Sequence, residues 1–174
     1  MGIRSLRVPE DIQALSHLGT ASHAGTVFRV SATSKGFQLT EQSIPRPLIK
    51  NHEFVTEVTD PDRRWTDGFV AVEGTSIVGF AATGYQRWNR RQVLWHLYVD
   101  HLHRARGIGR RLIEHVMFAG RNNGARHLWL ETQNTNVLAV RAYQAMGFEL
   151  VGLDRTLYDG DYAHETALYF AKPL

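Results

Sequence analysis

Short runs rich in β-branched and aromatic residues, separated by turns that contain glycine, predict strands along much of the chain. Residues 27–33 and 37–40 flank the polar turn Ser34-Lys35-Gly36, and residues 69–73 and 76–82 flank Gly74-Thr75, so we expect two hairpins. The same composition predicts further strands at residues 3–7, 93–99, 127–131, 148–151 and 165–170.

Apolar residues at a spacing of three or four predict helices between these strands. A short helix is expected within residues 9–19, and a longer one from about residue 107 to residue 121. A third would begin at a cap formed by Asn134 or Thr135 and end at residues 146–147. The apolar face of the longest helix consists of Ile108, Leu112, Ile113, Val116 and Met117.

The order of these elements predicts the fold class. Pro45 and Pro47 are expected to interrupt regular structure, and the polar, acidic residues 51–67 to form a loop with some helix. What remains is an antiparallel meander, then an alternation of strands and helices, then a final strand. This pattern predicts an α+β (mixed α/β) fold in three layers. A chain of 174 residues suits one domain with one core, spanning residues 1–174.

Composition excludes several classes of protein. With 43% hydrophobic and 21% charged residues the chain is typical of a globular protein, and no apolar run approaches the roughly 18 residues that span a bilayer. Residues 1–7 lack the apolar stretch of a secretory signal, so we expect a cytoplasmic protein. The absence of cysteine excludes disulfides, thiolate metal sites and an acyl-cysteine intermediate.

The formal net charge of +3 results mainly from arginines. A basic stripe is one sign of a nucleic-acid binder, but no interleaved aromatic residues or DNA-reading helix accompany it. A compact anionic ligand such as a nucleotide phosphate explains the cluster at least as well. His101-x-His103 has no obvious partner carboxylate, and no metal site is expected there. The clustered arginines are Arg87, Arg90, Arg91, Arg104, Arg106, Arg110 and Arg111.

Residues 104–111 form a basic loop with two glycines between a strand and an amphipathic helix. Gly107 and Gly109 let the backbone approach a ligand closely, and the helix N-terminus offers unpaired N–H groups that suit a pyrophosphate. Taken alone, Gly-x-Gly is as consistent with a tight turn into a helix. The loop lacks the Lys-Ser/Thr of a Walker A motif and the third glycine of the dinucleotide fingerprint.

Two motifs together resemble the signatures of the GNAT acetyltransferase superfamily. The acetyl-CoA pyrophosphate loop of that superfamily resembles Arg104-x-x-Gly107-x-Gly109. Its second signature resembles Asn136-x-x-Ala139-x-x-x-Tyr143-x-x-x-Gly147-Phe148. The resemblance implies a GNAT-like three-layer fold, with a central mixed, mostly antiparallel sheet flanked by helices. It also implies acetyl-CoA as the cofactor and CoA as the product.

The resemblance implies a role for each matching residue. Backbone N–H groups of residues 106–111 would hold the pyrophosphate, the strand end at Leu97 and Val99 would pair with the pantetheine arm, and Asn136 would bind that arm. Tyr143 would protonate the leaving thiolate, although its helical spacing also fits a core aromatic residue. The implied cofactor-binding residues are Leu97, Val99, Arg104, Arg106, Gly107, Ile108, Gly109, Arg110, Arg111, Asn136 and Tyr143.

A narrower resemblance, to streptothricin (nourseothricin) acetyltransferases, covers most of the chain. It rests on residues 25–30, 88–91, 128–131, 152–154 and 157–160. The first and last of these segments lie outside the CoA-binding core and therefore concern the acceptor. The resemblance implies N-acetylation of a cationic antibiotic, conferring resistance, with streptothricin as the first choice and an aminoglycoside as the alternative.

The base that removes the amine proton is left open between two residues. The resembling enzymes often carry acidic residues on the strand before the pyrophosphate loop, where this chain has Trp95, His96 and Tyr98. His96 has a reference pKa near 6.5, which suits proton transfer at neutral pH. Glu131, on the neighbouring strand, is the alternative base, or it binds the substrate ammonium group.

A cationic acceptor requires acidic residues on the side of the cleft away from the basic loop. The sequence offers acids at residues 53–67 and at residues 154–165, and the narrower resemblance singles out Asp154 and Asp159. The expected partner is therefore a small cationic amine, without nucleic acid or membrane. Whether the chain forms a homodimer stays open.

Overall fold

The computed structural model describes residues 1–174 and contains nine strands and four α-helices. The strands are β1 (Gly2–Ser5), β2 (Ser22–Thr33), β3 (Gly36–Lys50), β4 (Asp67–Glu73), β5 (Ser76–Gln86), β6 (Arg91–Val99), β7 (His127–Gln133), β8 (Glu149–Asp154) and β9 (Ala167–Pro173). The helices are α1 (Ile12–Ser16), α2 (Val55–Thr59), α3 (Ile108–Asn122) and α4 (Val137–Ala145). Two 3-10 turns, His101–His103 and Gly160–Tyr162, complete the regular structure.

The strands form one large sheet and one separate ribbon. Seven strands follow the order β1-β4-β5-β6-β7-β9-β8, and β2 pairs only with β3. The chain divides into two compact units: the first is Met1–Ala21, Asn51–Trp129 and Pro173–Leu174, and the second is Ser22–Lys50 and Leu130–Lys172. The α+β class predicted from the order of elements is confirmed. No helix is long and apolar enough to cross a membrane.

The first unit is a three-layer structure around β5. Strands β1, β4, β5 and β6 pair antiparallel in succession. Because successive side chains of β5 point to opposite faces, its continuous run of buried residues requires cover on both sides. Phe80 packs on one face in a cluster with Leu15 of α1 and Val58 of α2.

Helix α3 covers the opposite face of the same sheet. A Cβ added at Gly79 would lie 3.0 Å from Leu112 Cδ1 and 3.1 Å from Ile108 Cγ2, so glycine allows this close approach. The predicted apolar face of α3 is confirmed, since all five of its residues are buried. This packing fixes the N-terminal end of α3, and with it the loop that precedes the helix.

The prediction that Pro45 and Pro47 interrupt regular structure is wrong. Strand β3 runs through both prolines. The register pairs Thr26 with Ser43 and Ala24 with Leu48, so residues 44–47 lie opposite a single residue in a wide bulge. A proline has no backbone N–H to donate, and it is tolerated in strands at bulges and on edges.

The second unit also corrects the predicted start of α4. The cap is Asn136, whose Oδ1 accepts from Ala139 N at 3.4 Å, and neither Asn134 nor Thr135 fills that role. Asn134 instead joins two segments: its Nδ2 donates to Phe28 O at 2.7 Å, and its Oδ1 accepts from Thr166 N at 2.7 Å. In the same unit, strands β8 and β9 pair antiparallel.

Candidate active site

The basic loop before α3 has the backbone shape of an anion site. Ala105 and Gly107 have left-handed φ angles of 60° and 78°, and α3 begins at Ile108 directly after them. The first N–H groups of a helix have no intrahelical partner and carry the positive end of the helix dipole. Gly107 is exposed, and a Cβ added to it would meet no atom within 4 Å. The loop therefore has the shape and polarity of a site for a compact anion, and the pyrophosphate of acetyl-CoA stays its predicted ligand.

Three of the predicted cofactor-binding arginines contact other groups of the protein. Arg104 is partly buried and donates from Nε to Val99 O at 3.2 Å and from Nη2 to Thr20 O at 3.0 Å. Arg106 forms a two-point ion pair with Glu73, at 2.7 and 3.2 Å. Both guanidinium groups thus brace the loop, and contact of the loop backbone with a pyrophosphate stays a prediction. Arg111 reaches Met1 O at 3.3 Å.

The expectation that His101-x-His103 lacks a partner carboxylate is wrong: Asp100 Oδ2 lies 4.0 Å from His101 Nδ1, and His103 contacts two carboxylates. Its Nδ1 lies 2.9 Å from Asp100 Oδ1, and its Nε2 lies 3.6 Å from Glu73 Oε2. Asp100 also accepts from Gly19 N at 3.0 Å. These residues are structural supports of the loop. Asp100 directly precedes His101, so the sequence did contain this partner, whereas Gly19 and Glu73 are remote in the chain.

His96 lies in a hydrogen-bonded chain on β6. Its Nε2 is 3.0 Å from Glu57 Oε2, and its Nδ1 is 3.4 Å from the hydroxyl of Tyr98. Aromatic rings surround it, with the centroids of Phe80 and Phe54 at 6.2 and 6.3 Å. Strand β6 bulges immediately before His96, because Ala82 pairs with His96 whereas Thr83 pairs with Leu94.

Burial and charge shift the pKa values of His96 and Tyr98 in this hydrogen-bonded series. Burial lowers the pKa of His96, and the nearby Glu57 carboxylate offsets this only in part. Burial also raises the pKa of Tyr98, with a smaller contribution from Glu57. Tyr98 therefore keeps its proton and donates it to Nδ1 of a neutral His96, whose Nε2–H donates to Glu57.

Leu97 and Val99, the predicted pantetheine contacts, lie on the same strand. They pair with Ala81 and Gly79 of β5. The carbonyl of Val99 is already occupied by Arg104. Contact of these two residues with a cofactor arm stays a prediction.

Glu131 lies on β7 in the second unit and accepts a hydrogen bond from the hydroxyl of Tyr158. Burial raises the pKa of Glu131, which the Tyr158 hydrogen bond partly offsets, and the charge of Glu165 raises it further. Glu165 is almost fully buried and accepts from Lys50 Nζ at 2.5 Å and from Thr135 Oγ1 at 2.6 Å. The Lys50 ammonium group thus pairs with the buried Glu165, and its charge also acts to lower the pKa of the partly buried Glu131.

Sequence reasoning did not assign Tyr158, Lys50 or Thr135 to this cluster. Tyr158 stands beside Asp159 in a segment that the narrower resemblance identified, so a signal for it was present. Lys50 lies 115 positions before Glu165, and nothing in the sequence links the two.

Asp154 and Asp159 both hold local turns. Asp154 Oδ1 accepts from the backbone N and the hydroxyl of Thr156 at 2.7 Å each, which lowers the pKa of Asp154. Asp159 Oδ1 accepts from Gly160 N at 2.7 Å. Burial raises the pKa of Tyr169, and the charges of Asp154 and Glu131 both raise it further. The charges of Asp154 and Glu131 thus both act on the Tyr169 hydroxyl.

Tyr143 is buried on α4, as its helical spacing predicts. Its ring packs edge-on against Phe148 at 5.5 Å between centroids and lies 6.3 Å from Phe170. This packing holds the phenol in one place and agrees with a core role. Its predicted action as a proton donor is compatible with that packing and stays a prediction.

Comparisons with known proteins identify the family. Residues 37–148 match the model of the Acetyltransferase (GNAT) family. A streptothricin acetyltransferase from Streptomyces lavendulae is 40% identical over 98% of this chain and 93% of that protein. One from Escherichia coli is 30% identical over 83% of this chain and 80% of that protein.

A solved structure supports the same assignment. The crystal structure of a nourseothricin acetyltransferase is 39% identical and superposes with a TM-score of 0.86, covering 99% of this chain and 97% of that one. The resemblance drawn from the two sequence motifs is thereby confirmed, as is the GNAT-like fold. The chain belongs to the GNAT acetyltransferase family.

Proposed function

We propose that the chain acetylates a primary amine of streptothricin with acetyl-CoA and so confers resistance to that antibiotic. The observation that carries the choice of acceptor is the 40% identity to a streptothricin acetyltransferase over nearly the whole of both chains. As a GNAT acetyltransferase, the protein is an acetyl-CoA-dependent N-acetyltransferase. We place it in the cytoplasm as a single domain of residues 1–174.

The charges of the second unit support a cationic acceptor. Glu165 is buried and Glu131 is partly buried, and Lys50 forms an ion pair with Glu165 only. A substrate ammonium group would supply the missing positive charge, because a buried carboxylate is stabilised by a charged donor. Asp154 extends this negative region, as its effect on Tyr169 indicates. Asp159 would contact the same substrate from the adjacent turn.

Cofactor binding is assigned mainly to the backbone. The N–H groups around Gly107 and Gly109 would bind the pyrophosphate, with Ile108 and the arginines of residues 104–111 completing the loop. Leu97, Val99 and Asn136 would position the pantetheine arm. When acetyl-CoA is bound, its thioester supplies the acetyl group and a thiolate leaving group.

We assign proton removal to His96, oriented by Glu57. Tyr98 would accept the proton of the substrate ammonium while passing its own proton to His96 Nδ1, which leaves the amine free to attack. The negative charge of Glu57 stabilises the imidazolium that results. Tyr143 would then protonate the departing thiolate. Glu131, whose pKa burial raises, is the alternative base, although its hydrogen bond from Tyr158 favours a role in holding the ammonium group.

A turnover screen tests the choice of acceptor. Purified protein with acetyl-CoA would be offered streptothricin, gentamicin-type aminoglycosides and polyamines, and CoA release would be followed. We expect turnover with streptothricin and protection of cells against it, but not against the aminoglycosides. Turnover with aminoglycosides alone would overturn the acceptor and leave the acetyltransferase intact.

A further inference from the structure

The second unit contains a cavity of about 730 Å³ at the bulge of the β2–β3 ribbon. Its volume lies within the range of roughly 300–1,000 Å³ that is usual for small-molecule sites. Apolar side chains form much of its wall, among them Val27, Val30, Ile44 and Leu48. The cavity is therefore suited in size and lining to the apolar body of a small molecule.

Positive but no negative side chains line this cavity. The arginines Arg29, Arg46 and Arg155 line it together with His164, and no aspartate or glutamate does. The side chains of these four residues make no hydrogen bond or ion pair within the protein. Other cations of the same unit do find partners: Lys50 pairs with Glu165, and Arg141 with Glu41.

The local backbone builds this cavity and holds it in shape. Residues 44–47 bulge away from β2, and three of them line the cavity. Asn134 forms part of the lining and is fixed from two sides by its hydrogen bonds to Phe28 and Thr166. Bulges in ribbons are often found beside functional sites. The site thus exists before any ligand arrives, which lowers the cost of binding.

We propose that this cavity binds a small amphipathic anion, an alkyl or aryl body that ends in a carboxylate or a phosphate. The apolar wall would take the body, and the guanidinium groups would take the anionic end in two-point hydrogen bonds. Three guanidinium groups would repel the cationic acceptor. The cavity adjoins the carboxylates proposed to hold that acceptor, because Thr135 lines it and donates to Glu165, but neither carboxylate lines the cavity. Binding of an anion in this cavity does not depend on acetyl transfer or on which antibiotic is the acceptor.

Calorimetry on the full chain tests the proposal with octyl phosphate and octanoate as probes and octanol as the neutral reference. We expect both anions to bind and octanol to bind at least about tenfold more weakly. The double variant Arg46→Gln/Arg155→Gln should weaken the anions by about tenfold or more. Lys35→Gln, compared with Arg46→Gln alone, is the matched control, because each removes one positive charge from the same ribbon and Lys35 does not line the cavity.

Several results would overturn the site. One is equal binding of octanol and the anions, and another is equal weakening by Lys35→Gln, which would indicate a general effect of charge. Absence of binding at millimolar concentrations of the probe would also overturn the site. A dimer in sedimentation that the double variant dissociates would assign the cavity to a second copy of the chain. Acetyl-CoA affinity measured on the same samples checks the folded state independently.

Discussion

Replacing Gly109 by glutamate tests the backbone site for the cofactor pyrophosphate. Gly109 follows the first residue of α3, and its φ angle is not left-handed. A Cβ there would meet only Val99 Cγ2, at 3.6 Å, which is an ordinary van der Waals contact. The fold should therefore accept a side chain at this position, unlike Gly79, where a Cβ would lie 3.0 Å from Leu112.

The size of the effect follows from the charge that the substitution introduces. Two like charges about 5 Å apart repel by roughly 1 kcal/mol in water and roughly 3 kcal/mol at an effective dielectric constant of 20. The loop is exposed on one side and packed on the other, so a value between these limits applies to each phosphate charge. Because about 1.4 kcal/mol corresponds to tenfold, acetyl-CoA affinity should fall by about 5- to 150-fold.

Calorimetric titration of acetyl-CoA measures this loss, and circular dichroism with thermal melting checks that the variant folds. Gly109→Gln is the matched control, since it adds nearly the same volume without the charge. We expect Gln to weaken binding less than Glu, and the difference to shrink at high salt. Unchanged affinity in a folded Gly109→Glu protein would refute the pyrophosphate site, and equal losses for the two variants would refute the electrostatic argument.

Three further predictions concern the chemistry and the acceptor. Tyr143→Phe should lower kcat by up to about 10²-fold with little change in acetyl-CoA affinity, and an unchanged kcat when chemistry limits the rate would leave Tyr143 a packing residue. His96 must be neutral to act, so kcat/KM should fall as pH drops through its lowered pKa. His96→Gln should remove that acid limb and Glu57→Gln should move it to lower pH, whereas a limb unaffected by His96→Gln would point to Glu131 or another base. Asp154→Asn keeps an oxygen for the Thr156 turn but loses the charge, so steady-state kinetics should show a larger rise in the KM for streptothricin than for acetyl-CoA.

The parts of the fold that the sequence predicted are those with strong local signals. The apolar spacing of α3, the glycine turns of the hairpins and the two GNAT motifs all lie within short segments, and the structure places the corresponding elements there. Residues 51–67 were expected to contain some helix, and α2 provides it. Local pattern decides these cases, because each element can be recognised without knowing what packs against it.

Proline and asparagine show where local pattern fails. A proline excludes a strand only if its backbone nitrogen faces a partner, and at Pro45 the bulge removes that requirement. Asn134 has the composition of a helix cap, yet it bonds to Phe28 and Thr166 because the fold brings those backbones to it. At Asn134 a contact between remote segments overrides the local preference, and at Pro45 a gap in the pairing of β2 with β3 does so. One sequence alone shows neither.

At the candidate site, the local pattern of charged residues also failed to predict the contacts that the arginines make. The arginines near Gly107 suggested that guanidinium groups would hold the phosphates, yet Arg104 supports the Val99 carbonyl and Arg106 is neutralised by Glu73. Counting basic residues therefore overstates their contribution to anion binding, because a paired guanidinium must give up its partner before it can bind another. The N–H groups at the start of α3 carry no such cost, since they have no partner within the helix. Affinity for the pyrophosphate should accordingly depend more on the backbone shape around Gly107 and Gly109 than on the number of arginines beside them.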